Sequence, residues 1–191
     1  MQSTIVKSAL SIWVGGLLCS TPLSVYAQPQ EENGAKQKQY CNQAYMYCVE
    51  LPSIGTVQPH LDDSPNHGVS IDLSAKGNEI WSYAHWDAVL LKSAQQAALL
   101  RLGLLLDEHP DAEINIKLTT LAGLSAFHIL LTMPGTVPTM EEIVIAYAPP
   151  EDESKGPGII YELGVKSETK ASVPVIQEFH HFVDSFRISR K

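Results

Sequence analysis

The residues able to do chemistry are scattered, and few of them share a spacing that chemistry needs. His60, Asp62, Asp63 and His67 stand in one short stretch and are zinc-ligand types, but H-x-D-D-x3-H matches neither a helical nor a knuckle ligand pattern. The expectation is a solvated loop, with no metal. His180 and His181 are adjacent on an expected helix, so they point about 100° apart and do not converge on one ion. They read as surface residues, with His181 near Glu178 and Asp184. His128 lies among apolar neighbours and reads as a hydrogen-bonded strand histidine. No G-x-S-x-G, H-E-x-x-H or P-loop is present, Ser167-Glu168-Thr169-Lys170 lacks the S-D-N and K-T-G context of S-x-x-K chemistry, and Ser125 lacks the second glycine of a nucleophile elbow. The expectation is a protein that is not an enzyme, with no catalytic residues and no cofactor.

The acidic residues carry a different implication. Asp and Glu outnumber Lys and Arg by 21 to 13, a formal charge of −8. A surface of that sign does not neutralise phosphates, which argues against nucleic acid. Glu141-Glu142 and Glu151-Asp152-Glu153 read as solvated loops, and such loops steer a basic protein partner. Asp62, Asp63, Glu151, Asp152 and Glu153 are therefore candidate binding residues. Trp81, Tyr83 and Trp86 join them as the expected aromatic lining of a pocket between sheet and helices.

Compartment follows from the N-terminus. Lys7 precedes a short apolar core from Ala9 to Leu18, a break at Pro22, and Val25-Tyr26-Ala27. This is the pattern of a signal peptide over residues 1–27, cleaved after Ala27. The apolar run is too short and interrupted to span a bilayer, so no transmembrane helix is expected in the mature chain. Lipid anchoring at Cys19 is disfavoured by the bulky Leu18 before it. Removing the segment takes away Lys7 and no acid, so the exported, periplasmic chain is more acidic than the whole. It also takes away Cys19 and leaves Cys41 and Cys48. In an oxidising compartment an even pair reads as a disulfide, and C-x6-C suits a bridge across a β-hairpin.

These residues must be positioned by the elements between them. Residues 28–39 are polar and read as a flexible leader. Tyr40 to Leu51 reads as the first hairpin, and Pro59 to Gly68 as a loop by its turn residues. Val69, Ile71 and Leu73 alternate with polar neighbours, Lys76-Gly77-Asn78 turns, and Ile80 to Trp86 alternates again, a second hairpin. Ser93 and Gln96 form a capping box before the Leu- and Ala-rich stretch 94–106, which Pro110 ends. Strands follow around Ile114–Leu118, Phe127–Met133, Ile143–Ala148 and Ile159–Val165. Val175, Ile176, Phe179, Phe182, Val183 and Phe186 make one wide stripe of an amphipathic helix. Short turns between successive strands predict an α+β domain over residues 40–188, a curved antiparallel β-sheet covered by helices.

Two stretches also carry a resemblance. Tyr40-Cys41-Asn42 through Tyr47-Cys48-Val49-Glu50-Leu51-Pro52 resembles the opening hairpin of the Mog1/PsbP/DcrB-like fold. Ile160-Tyr161-Glu162-Leu163-Gly164-Val165, with the helix that ends in Ser185-Phe186-Arg187-Ile188, resembles its last strand and C-terminal helix. The resemblance implies a mostly non-enzymatic family whose members bind proteins or assist assembly. Two functions remain open on that basis. One is a periplasmic protein-binding module, such as an immunity or inhibitor protein that neutralises a secreted toxin. The other is an envelope assembly factor or small-ligand carrier.

Overall fold

A computed structural model describes residues 39–59, 67–73, 77–136, 138–150, 156–168 and 173–189. Strands β1 (Gln39–Asn42) and β2 (Tyr47–Glu50) form the first hairpin. The Asn42 side chain accepts from the backbone N–H groups of Ala44 and Tyr45, which folds the turn, and Met46 takes a left-handed φ of 55°. Cys41 lies directly opposite Cys48 in this register, and the two are joined by a disulfide. The bridge expected from the spacing is therefore present where it was expected.

Strands β3 (Thr56–Pro59), β4 (Gly68–Asp72) and β5 (Glu79–Trp86) begin the large sheet. Helix α1 (Ala94–Glu108) follows, then β6 (Glu113–Leu121), β7 (Leu124–Met133), β8 (Thr139–Ala148) and β9 (Ile159–Glu168). Helix α2 (Val173–Asp184) and the short strand β10 (Arg187–Ile188) close the chain. The large sheet is fully antiparallel in the order β3-β4-β5-β9-β8-β7-β6. A second sheet, β1-β2-β10, uses the last strand to clamp the first hairpin.

Thr56–Pro59 differs from the sequence reading, which left this stretch without a strand. It pairs antiparallel with Val69–Asp72 as the outermost strand. Gly55 and Pro59 give it the look of a loop, yet an edge strand tolerates proline because its outer N–H groups need no ladder partner. The β6–β7 turn was legible. Ala122 and Gly123 have φ of 49° and 81°, the pair of left-handed residues that a tight hairpin matching strand twist requires.

Each face of the large sheet is covered by one helix. On one face α2 and the first hairpin bury Tyr45, Tyr47, Tyr161, Phe179, Phe182 and Phe186 against Val144, Ala146, Leu163 and Val165. The stripe on α2 is the cause: Val175, Phe179 and Phe182 are its buried residues. On the other face α1 lays Ala94, Ala97, Ala98 and Leu105 on Ile129, Leu131, Ile143 and Ile145. The small alanines let this helix approach the sheet closely. Ser93 caps it by accepting from the Gln96 N–H at 3.3 Å, while Gln96 accepts from the Lys92 N–H at 2.6 Å. The capping box is thus half formed, its return bond falling one residue early.

Candidate functional site

Antiparallel register places side chains in rows across a sheet, and three rows on the α1 face define the site. The first runs Asp72, Glu79, Lys166, Glu141, Leu131, Ile114 from β4 to β6. The second runs Ser70, Trp81, Gly164, Ile143, Ile129, Ile116, and the third Gly68, Tyr83, Glu162, Ile145, Phe127, Leu118. From β7 onward every row is apolar, while over β4, β5 and β9 the rows carry Ser70, Asp72, Glu79, Glu162 and Lys166. Helix α1 covers β7 and β8, so the polar half over β4, β5 and β9 is left with a cleft of about 430 Å³. Ser70, Asp72, Gly77, Asn78, Glu79 and Lys166 line it.

The cleft is held by specific contacts. Asn78 is buried, and its side-chain oxygen accepts from the Glu168 N–H, while its carbonyl accepts from the Leu73 N–H. These bonds tie the β4–β5 turn to β9. The Ser70 hydroxyl donates to the Glu79 carboxylate. With two carboxylates and one ammonium, the cleft carries net negative charge, a surface for a cationic group.

Beside it lies a buried ionic network. Glu141 and Glu162 belong to different rows, with Gly164 between them along β9. Gly164 has no Cβ because the Trp81 indole occupies that space. Arg101 reaches down from α1 to Glu141 at 3.5 Å and Glu162 at 3.2 Å, and the Trp81 Nε1–H points to Glu162 at 3.3 Å. Burial pushes both carboxyls above their ordinary value, and the Arg101 guanidinium opposes it. Arg101 therefore keeps two carboxylates beneath a helix that is otherwise lined with Ala and Leu.

The sequence reading of Glu141-Glu142 as a solvated loop is corrected. Both are on β8, both are 6% exposed, and they face opposite sides. Glu142 Oε1 accepts from His128 Nε2 at 2.7 Å and His180 Nε2 at 3.0 Å. Burial raises its carboxyl, the two imidazoles outweigh that, and the net shift is downward. Among the described residues no group of three or more His, Cys, Asp or Glu is arranged to hold a metal ion. His128 is the hydrogen-bonded histidine expected of it. His180 pins α2 to β8, and His181 on the next position reaches Glu50 of β2 at 3.3 Å.

The three aromatic candidates separate. Trp81 and Tyr83 are on the α1 face, Trp81 as the wall beside Gly164. Trp86 lies at odd spacing from both, on the opposite face, with its ring centroid 5.4 Å from that of Tyr45. His67 also joins Tyr45, stacking on its ring at 5.5 Å and accepting or donating at its hydroxyl, 3.1 Å away. Asp62, Asp63, Glu151, Asp152, Glu153 and His60 lie outside the described residues. Ser70, Asp72, Glu79, Lys166 and Arg101 were missed by sequence reasoning. For the four strand residues the only sequence signal is charge or a hydroxyl at alternating positions, which also describes any solvated face, and for Arg101 it is a lone charge in the Leu- and Ala-rich helix.

No protein-family model and no curated protein sequence matches the chain. Solved structures do. The crystal structure of LpqN, involved in cell envelope biogenesis of Mycobacterium tuberculosis, matches at 13% identity with a TM-score of 0.56, over 75% of this chain and 83% of that one. The solution structure of cyanobacterial PsbP, CyanoP, from Synechocystis sp. PCC 6803 matches at 13% identity and TM-score 0.56, over 78% and 91%. At that identity the likeness speaks of fold alone. The fold is that of the Mog1/PsbP/DcrB-like proteins, as the opening hairpin and closing strand resemble.

Proposed function

From this PsbP-like fold as premise, we propose that the protein is an exported, envelope-associated module that acts by binding a basic protein partner. The observation that carries the reading is the acid-rich cleft over β4, β5 and β9, which among the described residues lies beyond the part of the sheet that α1 covers. A lysine or arginine side chain of a partner entering it meets the carboxylates of Asp72 and Glu79. The signal peptide over residues 1–27 delivers the chain to the periplasm, where the Cys41–Cys48 disulfide forms and persists. No helix among the described residues is long and apolar enough to cross a membrane.

Within this reading an envelope assembly role is favoured over toxin immunity, because LpqN is described as involved in cell envelope biogenesis. The experiment is capture of envelope proteins on the immobilised chain, with retained partners eluted by raising salt. A basic partner released by salt and not retained by the Asp72→Asn/Glu79→Gln variant is the expected result. A partner retained equally by that variant, or none captured, overturns the reading. Adjacent toxin and immunity genes would move the assignment to inhibition.

A further inference from the structure

Strand β6 ends the large sheet, and among the described residues no strand pairs with its outer side. It is nine residues long, holds no proline or glycine, and exposes apolar side chains on the α1 face: Ile116 is 41% exposed and Leu118 72%. Its opposite face carries Glu113, Asn115 and Lys117, all exposed. A long regular edge with exposed apolar residues is a template for a further strand unless something blocks it. A lysine in mid-strand is a common block. Here an acid stands four residues from it, about 13 Å along an extended strand, too far to pair within the strand. Among the described residues no ion pair engages either one.

We propose that β6 is an interface for a second copy of this chain, the two β6 strands pairing antiparallel about Asn115. In that register Glu113 meets Lys117 of the second copy and Lys117 meets its Glu113. Ile114 meets Ile116, Ala112 meets Leu118, and Asn115 meets itself on the two-fold axis. Residues of even number all face the α1 side, so both copies keep their helices on one side of a continuous sheet. Shifting the centre to Ile116 sets Asn115 opposite Lys117 and loses both ion pairs. Shifting it to Lys117 sets two ammonium groups against each other. The centre at Asn115 is the one of these three that satisfies charge and apolar pairing together, and the contact is self-complementary as a two-fold interface must be.

Sedimentation velocity on the exported protein across the micromolar range tests this. The expected result is a concentration-dependent monomer–dimer equilibrium. Lys117→Glu and Glu113→Lys each turn two attractive contacts into repulsive ones and weaken the dimer about tenfold, while the double swap restores it. Asn115→Cys forms a covalent dimer on oxidation, and Thr119→Cys, whose counterpart falls outside the strand, does not. All four positions lie on the surface edge, and a thermal melt matching the unsubstituted protein confirms that a variant is folded. A protein monomeric over the whole range, a dimer indifferent to the charge reversals, a swap that fails to restore, or equal crosslinking at 115 and 119 overturns the proposal.

Discussion

Glu141 and Glu142 show how much one position on a strand decides. Adjacent and chemically alike, they face opposite cores, and their carboxyls shift in opposite directions. Glu142 sits below its ordinary value of 4.5, so its contribution to stability is present above that pH and is lost as pH falls through its lower folded value. Glu141 and Glu162 sit above theirs, so each loses stability as pH rises from 4.5 toward its higher folded value. Glu142→Gln should therefore flatten the acid limb of a stability-versus-pH curve. At pH 7 it should cost about 1–3 kcal/mol, because two imidazoles lose a charged acceptor; chemical denaturation at several pH values checks both. Arg101→Met leaves two carboxylates buried under α1 without their cation. A loss of about 3–5 kcal/mol is expected at pH 7, shrinking as pH falls and the carboxyls take up protons. Gly164→Ala drives a methyl group into the Trp81 indole and should cost about 1–3 kcal/mol, with altered tryptophan fluorescence as its signature.

At the scale of elements, helices and paired strands were legible because their periods differ. The stripe from Val175 to Phe186 repeats every three to four residues, and only a helix buries such a stripe. Ile114–Leu118 and Val69–Leu73 repeat every two, the period that sets alternate residues on one side of a strand. Strand β3 was not legible: its pairing with β4 is a long-range fact, and Pro59 with Gly55 locally favours a loop. The first hairpin is marginal by itself, four residues a side, and depends on what it packs against. Tyr47 at its core has its hydroxyl 3.0 Å from Ser82 Oγ and its ring stacked on Phe186, so hairpin, sheet and chain end hold one another. Replacing both Cys41 and Cys48 by Ser should lower stability by about 2–3 kcal/mol, read as a lower melting temperature under non-reducing conditions that reductant then leaves unchanged.

For the whole molecule, the sidedness of the sheet matters most. One face is closed by α2 and the hairpin around aromatic residues. Among the described residues the other is covered only over β7 and β8, where α1 lies, and the acid-rich cleft occupies the part beyond it. Binding there draws on net negative charge, so affinity for a basic partner should fall as ionic strength rises from about 0.05 to about 0.5 M, over which the screening length shortens from beyond about 10 Å to a few Å. Asp72→Asn/Glu79→Gln should flatten that dependence, which a salt titration by calorimetry would measure.

The candidate site divides along the same line. From the sequence alone came the acidity, the disulfide pair, the element order apart from β3 and β10, and the expectation of an exported α+β domain, because charge, spacing and period are local properties; Arg187-Ile188, read as the end of the last helix, is instead a strand because it pairs with β2. Trp81 and Tyr83 were visible as aromatics. That Trp86 leaves them for Tyr45 follows from the two-residue period once strand β5 is known to run unbroken to it. What only the tertiary structure decided is which strands are neighbours. That order sets Asp72 beside Glu79 beside Lys166, brings Arg101 down between Glu141 and Glu162, and leaves β6 at the edge. A row across a sheet collects residues from distant parts of the chain, and no local spacing encodes it.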